Sequence, residues 1–141
     1  MSTESNKAMA KRFLEEVING GKMALADEMI APEYVDHAAP PGLPPNVEGL
    51  KMFFSTFRKA FPDLHYHLED MIAEGDMVVQ RTTVHGTMKG DFMGMSATGK
   101  HANWSEIHIS RFVNGKLAEH WANIDQLGML QQLGLAPTPG G

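Results

Sequence analysis

Two stretches near the C-terminal end of the chain alternate between hydrophobic and polar positions, as β-strands do. Even-numbered residues 104–110 share one face of the first stretch, and even-numbered residues 118–124 share one face of the second, because side chains alternate sides along a strand. Asn114 and Gly115 lie between the stretches, and both tolerate the positive φ that a tight hairpin turn requires. The pattern therefore predicts a β-hairpin.

Apolar residues recur at helical spacing in three segments of the N-terminal half. The first predicted helix ends at the glycines 20–21, the second spans residues 23–30 before Pro32, and the third runs from Asn46 to Pro62. The third helix carries a thick aromatic stripe on one side, formed by Phe53, Phe54, Phe57 and Phe61.

The middle of the chain has the pattern of extended structure. Residues 33–37 form a brief extended segment, residues 64–69 alternate between apolar and polar side chains, and residues 77–86 are rich in Val and Thr. A Glu-Gly-Asp turn at residues 74–76 joins the last two, which predicts two antiparallel strands. Residues 126–133 predict a terminal helix.

The order of these elements, helices first and then a meander of long strands, is typical of an α+β fold and not of a parallel sheet. We expect a curved sheet with three N-terminal helices packed on its concave face, enclosing a pocket that the Phe-rich third helix caps. One domain is predicted over residues 1–141, with an ordered core at about 5–135.

Composition narrows the range of functions. A chain of 141 residues with 43% hydrophobic side chains is long enough for one domain with a substantial core. Its net charge of −5 argues against nucleic-acid partners, and the absence of cysteine excludes disulfides and thiolate metal sites. The polar N-terminus and the lack of any run near ~20 apolar residues predict a cytoplasmic protein without a membrane partner.

Candidate catalytic side chains lie on the predicted hairpin. Trp104, Glu106 and His108 share a face of the first arm that meets His120 of the second, and two histidines with a carboxylate suit proton transfer on a small apolar molecule. Each also has a structural interpretation, because a histidine between isoleucines is often a core residue and a tryptophan in a sheet usually serves packing. Glu106 is either paired with a histidine or on the outer face.

Asp125 and two further histidines also have simpler interpretations. Asp125 precedes the terminal helix, so its first interpretation is an N-cap and its second is catalysis. His65 and His67 stand two apart on one strand face, a geometry that can bind a metal, but no third ligand is fixed nearby. We predict no metal site.

Across essentially its whole length the chain resembles the SnoaL-like polyketide cyclases. These have a cone-shaped α+β fold, with a curved antiparallel or mixed sheet, that is shared with ketosteroid isomerases and nuclear transport factor 2. The set of motifs is specific for the fold and far less specific for a reaction, because the fold hosts many activities. The motifs that carry the resemblance are Tyr34 and residues 60–63, 73–76, 94–100, 107–111, 115–121 and 128–134.

The resemblance assigns roles to particular positions. His108 and His120 match pocket-facing histidines of the antibiotic-pathway cyclases, whereas the aspartate that serves these cyclases as acid and base falls on Ala122. Asp125 matches a further aspartate of the cyclases. By comparison with the isomerases, His108 occupies the position of an acid that stabilises the enolate, and His37 falls close to their catalytic base.

Together these observations predict a cofactor-independent cyclase that uses general acid and base chemistry on a hydrophobic, carbonyl-bearing substrate. The expected catalytic residues are His108, His120 and Asp125. The expected substrate-binding residues are His37, Phe57, Trp104, Glu106 and Ala122.

Two alternatives remain open at this point, and an assembly is predicted. Ala122 favours a non-catalytic binding domain for small molecules, while an isomerase or epoxide hydrolase would need an inward carboxylate, for which Asp36, Asp125 and Glu106 are the candidates. The ligand in each case is a small hydrophobic or aromatic molecule. A homodimer is expected through the convex face of the sheet, which carries Ile107, Ile109 and Trp121.

Overall fold

The computed structural model describes residues 2–139, so the first residue and the last two residues of the predicted domain lie outside the described residues. The chain forms helices on one side of a single five-stranded sheet. Its elements in chain order are α1 Thr3–Arg12, continued by a π-helical stretch Phe13–Asn19, then α2 Ala24–Met29, β1 Ile30–Asp36, α3 Val47–Ala60, β2 His65–Glu74, β3 Met77–Thr87, β4 His101–Val113, β5 Lys116–Ile124 and α4 Gln126–Gln132.

The sheet is mixed. Its strand order is β1-β5-β4-β3-β2, with every neighbouring pair antiparallel except β1 and β5, which run parallel. The parallel edge strand contains Pro32, which is tolerated there because an edge strand does not need all of its N–H donors. A shift of register in β1 between Ile30 and Val35 leaves Asp36 opposite His120 of β5.

The turn between β4 and β5 is the predicted hairpin turn. Asn114 has a φ of 51° and Gly115 has a φ of 77°, both in the left-handed region that this two-residue connection requires. The turn pairs Val113 with Lys116, and a β-bulge between Arg111 and Phe112 then shifts the register by one residue, so that Ser110 lies opposite His120 and His108 opposite Ala122. Because of this bulge, even-numbered residues of the two arms share a face.

The first helix changes its winding where it meets the core. Ser2 caps it by accepting a hydrogen bond from the Ser5 amide, and the stretch Phe13–Asn19 continues as a π-helix. Within this stretch Val17 and Ile18 are buried. π-helical segments are rare in proteins, and those that occur often lie at functional sites. Here Ile18 of this stretch also lines the cavity described below.

α3 supplies the aromatic side of the core. The Asn46 side chain caps it by accepting a hydrogen bond of 3.1 Å from the Gly49 amide. The Phe57 and Phe61 rings lie 6.3 and 6.2 Å from the Trp104 ring of β4, which joins the helix to the concave face of the sheet. Phe61 also packs closely over Gly86, where a Cβ would come within 3.0 Å of the ring.

The predicted α+β class with a curved, helix-covered sheet is confirmed, with differences at the ends of elements. The second helix stops at Met29, because Ile30 already belongs to β1. The extended segment predicted at 33–37 is a strand that begins at Ile30 and ends at Asp36. The sequence pattern did not predict the parallel pairing of this strand with β5, since no turn connects the two strands.

Among residues 2–139, no helix is long and apolar enough to cross a membrane.

We expect Asn46→Ala to lower the free energy of unfolding by about 1 kcal/mol, because the Gly49 amide loses its cap. Asn46→Asp keeps an acceptor and should retain most of that stability. Urea unfolding followed by circular dichroism measures the difference, and Ser55→Ala, an exposed substitution in the middle of the same helix, is the matched control. Equal stability of Asn46→Ala and the parent protein would contradict a role for this cap.

Candidate active site

A cavity of about 320 Å³ lies between the concave face of the sheet, the π-helical stretch, α3 and the two loops at residues 38–45 and 88–100. This volume is at the lower end of the range for small-molecule pockets. Its walls are mainly apolar and aromatic, with a few polar groups on the sheet. The aromatic lining residues are Phe13, Tyr34, Phe53, Phe54, Phe57, Tyr66, Phe92 and Trp104.

The polar groups stand in rows that cross the strands. In one row Asp36 of β1 faces His120 of β5, which faces Ser110 of β4. In the next row Ala122 of β5 faces His108 of β4, which faces Gln80 of β3. A third row pairs Glu106 with Thr82. Directly opposite residues have Cβ atoms about 4.5–5.5 Å apart, so neighbouring polar side chains can touch.

Four of these side chains form one continuous hydrogen-bonded chain, which we call the acid–base chain: Glu106, His108, His120 and Asp36. Glu106 Oε1 lies 2.7 Å from His108 Nε2, and His108 Nδ1 lies 2.8 Å from His120 Nε2. His120 Nδ1 lies 2.9 Å from Asp36 Oδ1. The two imidazole rings are stacked with an interplanar angle of 17°.

Both ends of the acid–base chain are held by further donors. The Trp104 indole N–H donates to Glu106 Oε2 at 2.7 Å, and the Ala38 amide donates to Asp36 Oδ1 at 2.9 Å. The side chain of Glu106 is only 3% exposed and that of Asp36 is 13% exposed. These contacts provide the hydrogen bonds that a buried carboxylate needs in place of water.

A count of protons gives the condition under which the acid–base chain is complete. With both carboxylates ionised, its three hydrogen bonds need three protons on the ring nitrogens of His108 and His120. Two neutral imidazoles carry two protons, one toward each carboxylate, so the bond between the two rings forms when a third proton is shared there. The four groups then carry a net charge of −1.

Burial and neighbouring charges shift the pKa values of groups around the acid–base chain. Burial alone would raise the pKa of Asp36, but the hydrogen bond and charge of His120, with the Ala38 amide, outweigh it and hold that pKa below its usual value. Burial and the Asp36 charge raise the pKa of Tyr34. The Tyr34 hydroxyl is adjacent to Asp36, but the two groups do not reach good hydrogen-bond geometry. Burial and Glu106 raise the pKa of Tyr66.

Most side chains singled out from the sequence lie around this cavity. His108, His120 and Glu106 belong to the acid–base chain. Phe57, Trp104 and Ala122 line the cavity wall. Trp104 is 3% exposed and its indole N–H is already used by Glu106, so it supports the carboxylate and presents only its ring to the cavity.

The structure does not bring His37 and Asp125 into the cavity lining. The His37 ring is stacked on Trp121 and lies 2.8 Å from Glu119 Oε2, on the outer side of the sheet. The Asp125 carboxylate accepts a hydrogen bond from the Gly128 amide at 3.0 Å and caps α4. Asp36 and Glu106, not Asp125, are the carboxylates in contact with the two imidazoles.

Several polar residues of the site lay outside the catalytic and substrate-binding assignments made from the sequence, and Asp36 and Gln80 are the two that matter for the chemistry considered below. Asp36 was a candidate only for an inward carboxylate, because its pairing with His120 depends on the parallel contact of β1 and β5. Gln80 lies at an even position of β3 among residues that alternate between buried and partly exposed. In the sequence, its shared parity with Val78 and Val84 was the signal that could have placed it on the concave face.

Within residues 2–139, no group of three or more histidine, aspartate or glutamate side chains is arranged to hold a metal ion.

Comparison with known proteins identifies the family. A model of the SnoaL-like polyketide cyclase family matches residues 8–133. The chain is 33% identical over 136 residues to aklanonic acid methyl ester cyclase DauD of Streptomyces sp. (strain C5), covering 92% of this chain and 83% of that protein. The chain therefore belongs to the SnoaL-like polyketide cyclase family.

One further relative is similar in sequence, and one solved structure is similar in fold. The nogalonic acid methyl ester cyclase of Streptomyces nogalater is 28% identical over 119 residues, which cover 82% of this chain and 88% of that protein. The solved structure of TsrD from Streptomyces laurentii superposes with a TM-score of 0.86 at 29% identity, covering 96% of this chain and 99% of TsrD.

We expect Asp36→Asn to destabilise the fold, and to destabilise it less in acid than at about pH 5. The folded-state pKa of Asp36 lies below the unfolded-state value of about 3.9, so the ionised carboxylate stabilises the fold above that pH and this stabilisation is lost as the pH falls through the folded-state pKa. Urea unfolding between about pH 5 and pH 3 should give a free-energy gap between parent and variant that narrows on acidification.

The control for this experiment is Glu33→Gln, which changes an exposed carboxylate on the same strand. It should cost little at any of these pH values. A gap between the parent protein and Asp36→Asn that widens in acid would contradict the assignment.

Proposed function

We propose that this protein catalyses an aldol-type ring closure of a hydrophobic polyketide ester, using general acid and base chemistry without a cofactor. The observation that carries the proposal is the acid–base chain at the floor of an apolar cavity. Ring closure of this kind isomerises its substrate: one C–H bond breaks, one C–C bond forms, and a ketone becomes a hydroxyl group. It consumes no second reactant.

The relatives support the class of substrate. Their names describe cyclases of aklanonic acid methyl ester and nogalonic acid methyl ester. In this chain the cavity walls are aromatic, and rings such as Phe53, Phe57 and Phe92 offer flat apolar surfaces to an aromatic polyketide. The polar groups are confined to the sheet side, which favours a substrate with its reacting carbonyl groups along one edge.

The bond between His108 and His120 is the link at which a substrate enters the acid–base chain. The two outer links join imidazoles to carboxylates, and opening either one would leave a buried carboxylate short of a hydrogen bond. Opening the central link keeps both carboxylates bonded, so a polar substrate replaces it at the lowest cost. Once it opens, one ring presents an N–H and the other a lone pair to the substrate.

His120 then serves as the proton shuttle. Held by Asp36 at Nδ1, it takes the acidic proton of the substrate carbon on Nε2. The enolate carbon attacks the ketone, and His120 returns the same proton to the resulting alkoxide. His108, held by Glu106 at Nε2, donates its Nδ1–H to the enolate oxygen throughout. The protein ends with the protons it began with.

We assign to Asp36 part of the role that the aspartate matched to Ala122 has in the family. Ala122 cannot move a proton, but Asp36 stands on the neighbouring strand, opposite His120 on the same face. In this position it orients the His120 ring and offsets the positive charge that forms when His120 accepts a proton. The chemistry then uses an imidazole as the base, with the carboxylate behind it.

A related activity shares the first half of this reaction. An isomerase on the same fold also begins by removing a proton next to a carbonyl, and the inward position of Asp36 in the cavity lining favours it as the second candidate. The two activities differ in whether the enolate attacks a ketone or is protonated at another carbon. The non-catalytic binding domain remains the alternative that Ala122 favours.

We expect His120→Ala to reduce the turnover of aklanonic acid methyl ester by roughly 100- to 10,000-fold, because general acid and base catalysis contributes that much. Binding of the same ester should stay within a few-fold. Liquid chromatography with mass detection measures a product of unchanged mass and new retention time, and His67→Ala, an exposed substitution on the convex face, is the matched control.

The binding-domain alternative gives a different pattern. The parent protein would then turn over none of the esters offered, and Ala122→Asp would restore a carboxylate to the cavity wall beside His108. Activity in Ala122→Asp alone would refute catalysis by the parent protein.

A second copy of this chain is the partner we propose for the convex face of the sheet. Ile72 is 67% exposed and Ile107 is 44% exposed, and both stand on the face away from the helices. The two residues lie on β2 and β4, the strands on either side of β3. Exposed β-branched apolar side chains on one face of a sheet are typical of a face that packs against another protein surface.

We therefore expect a homodimer in sedimentation at micromolar concentration. Ile107→Glu should give a monomer, because two like charges would be buried in the interface. Leu127→Glu, on α4 and 61% exposed in the parent, should leave the dimer intact. A monomeric parent protein would refute the assembly.

A further inference from the structure

Gln80 is a buried polar residue without a hydrogen-bond partner for its side-chain nitrogen. It lies on β3 and is 7% exposed, and its Nε2 has no acceptor among the described residues. Buried amide groups in proteins are nearly always paired, so an unpaired one that lines a cavity indicates a partner that arrives with the ligand.

A comparison along the same strand separates Gln80 from an ordinary buried polar residue. Thr82 lies on the same face of β3 and is 1% exposed, but its hydroxyl donates to the Glu106 carbonyl oxygen at 3.1 Å. Thr82 is therefore satisfied within the protein. Gln80 has Met71 on one neighbouring strand and His108 on the other, and both ring nitrogens of His108 are already engaged.

The position of Gln80 sets which part of a ligand it meets. It is directly opposite His108 in the antiparallel pairing of β3 and β4, and both residues line the cavity. Side chains at such paired positions start about 5 Å apart and can reach one acceptor between them. An acceptor oxygen seated over this pair in the cavity meets the Gln80 side chain on one side and His108 on the other.

We propose that Gln80 is a catalytic residue that donates its Nε2–H to the substrate carbonyl oxygen beside His108, where the negative charge of the enolate develops. The inference rests on the proposed function and extends it, since it gives that oxygen two donors from neighbouring strands. A fixed donor stabilises the enolate without reorganisation during the reaction. It also selects substrates with an acceptor oxygen at this point.

A binding experiment tests the contact without any turnover. The probes are 2-acetylnaphthalene, whose ketone can only accept a hydrogen bond, and 2-ethylnaphthalene, which has similar shape and no oxygen. Gln80→Met replaces the amide by an apolar side chain of similar length. We expect it to weaken binding of the ketone about five- to tenfold and to change binding of the hydrocarbon less than about twofold.

Two outcomes of the binding experiment would overturn the proposal. Equal weakening of both probes would mean that Gln80 only shapes the cavity, and unchanged binding of both would mean that it does not reach the ligand. Stability provides an independent readout, because Gln80→Met removes an unpaired buried amide. The urea midpoint should therefore stay the same or rise, and a clear fall would indicate a partner within the protein and contradict the proposal.

Turnover separates this inference from the function on which it rests. If the parent protein converts aklanonic acid methyl ester, Gln80→Met should lower kcat on the order of 100-fold with KM nearly unchanged. Unchanged kcat in the variant would overturn the catalytic role of Gln80 and leave the cyclase function intact. If the parent protein converts nothing, the cyclase function fails, and the naphthalene probes still decide whether Gln80 binds a ligand oxygen.

Discussion

The parallel contact between β1 and β5 is the constraint on which the site depends. It brings the end of an edge strand from the N-terminal half of the chain beside the last strand of the hairpin, and it sets Asp36 opposite His120. The backbone strengthens this contact, since the His37 amide donates to the His120 carbonyl oxygen at 2.9 Å. Without it, His120 would have an imidazole on one side and no carboxylate on the other, and the acid–base chain would stop at its third member.

Burying two carboxylates and two imidazoles together is tolerable only because each group is bonded in both directions. A lone buried carboxylate costs several kcal/mol of transfer free energy. Here Trp104 and Ala38 donate to the outer carboxylates, and each imidazole is bonded to one of them. The central link between the rings is then the one that can open without taking a hydrogen bond from a carboxylate. The bonds that stabilise the buried carboxylates are therefore different from the bond between the two rings, which is the one proposed to open for a substrate.

The sequence predicted those parts of the site that depend on local geometry. Alternation along the hairpin, taken with like parity on both arms, placed His108, His120 and Glu106 on one face. The structure has them there because a β-bulge between Arg111 and Phe112 shifts the register that the Asn-Gly turn alone would set. The sequence could not identify Asp36 as the partner of His120, since parallel pairing across 84 residues has no local signal. His37 was expected in the cavity, but it follows Asp36 by one position, and successive side chains along extended backbone point to opposite faces. Asp125 was ambiguous for another reason: an N-cap and a catalytic carboxylate are the same residue type, and only packing separates them.

In the proposed mechanism, Ala122 leaves the proton transfer to a group other than a side chain at its own position, on the same face of the sheet. A carboxylate at that position would stand directly opposite His108 and project into the cavity. In this chain the carboxylate is on the next strand, bonded to His120, so its charge acts through the ring. Gln80, whose side-chain nitrogen has no partner among the described residues, lies on the side of His108 away from Ala122. In the proposed reaction, the two donors to the enolate oxygen therefore come from β4 and β3.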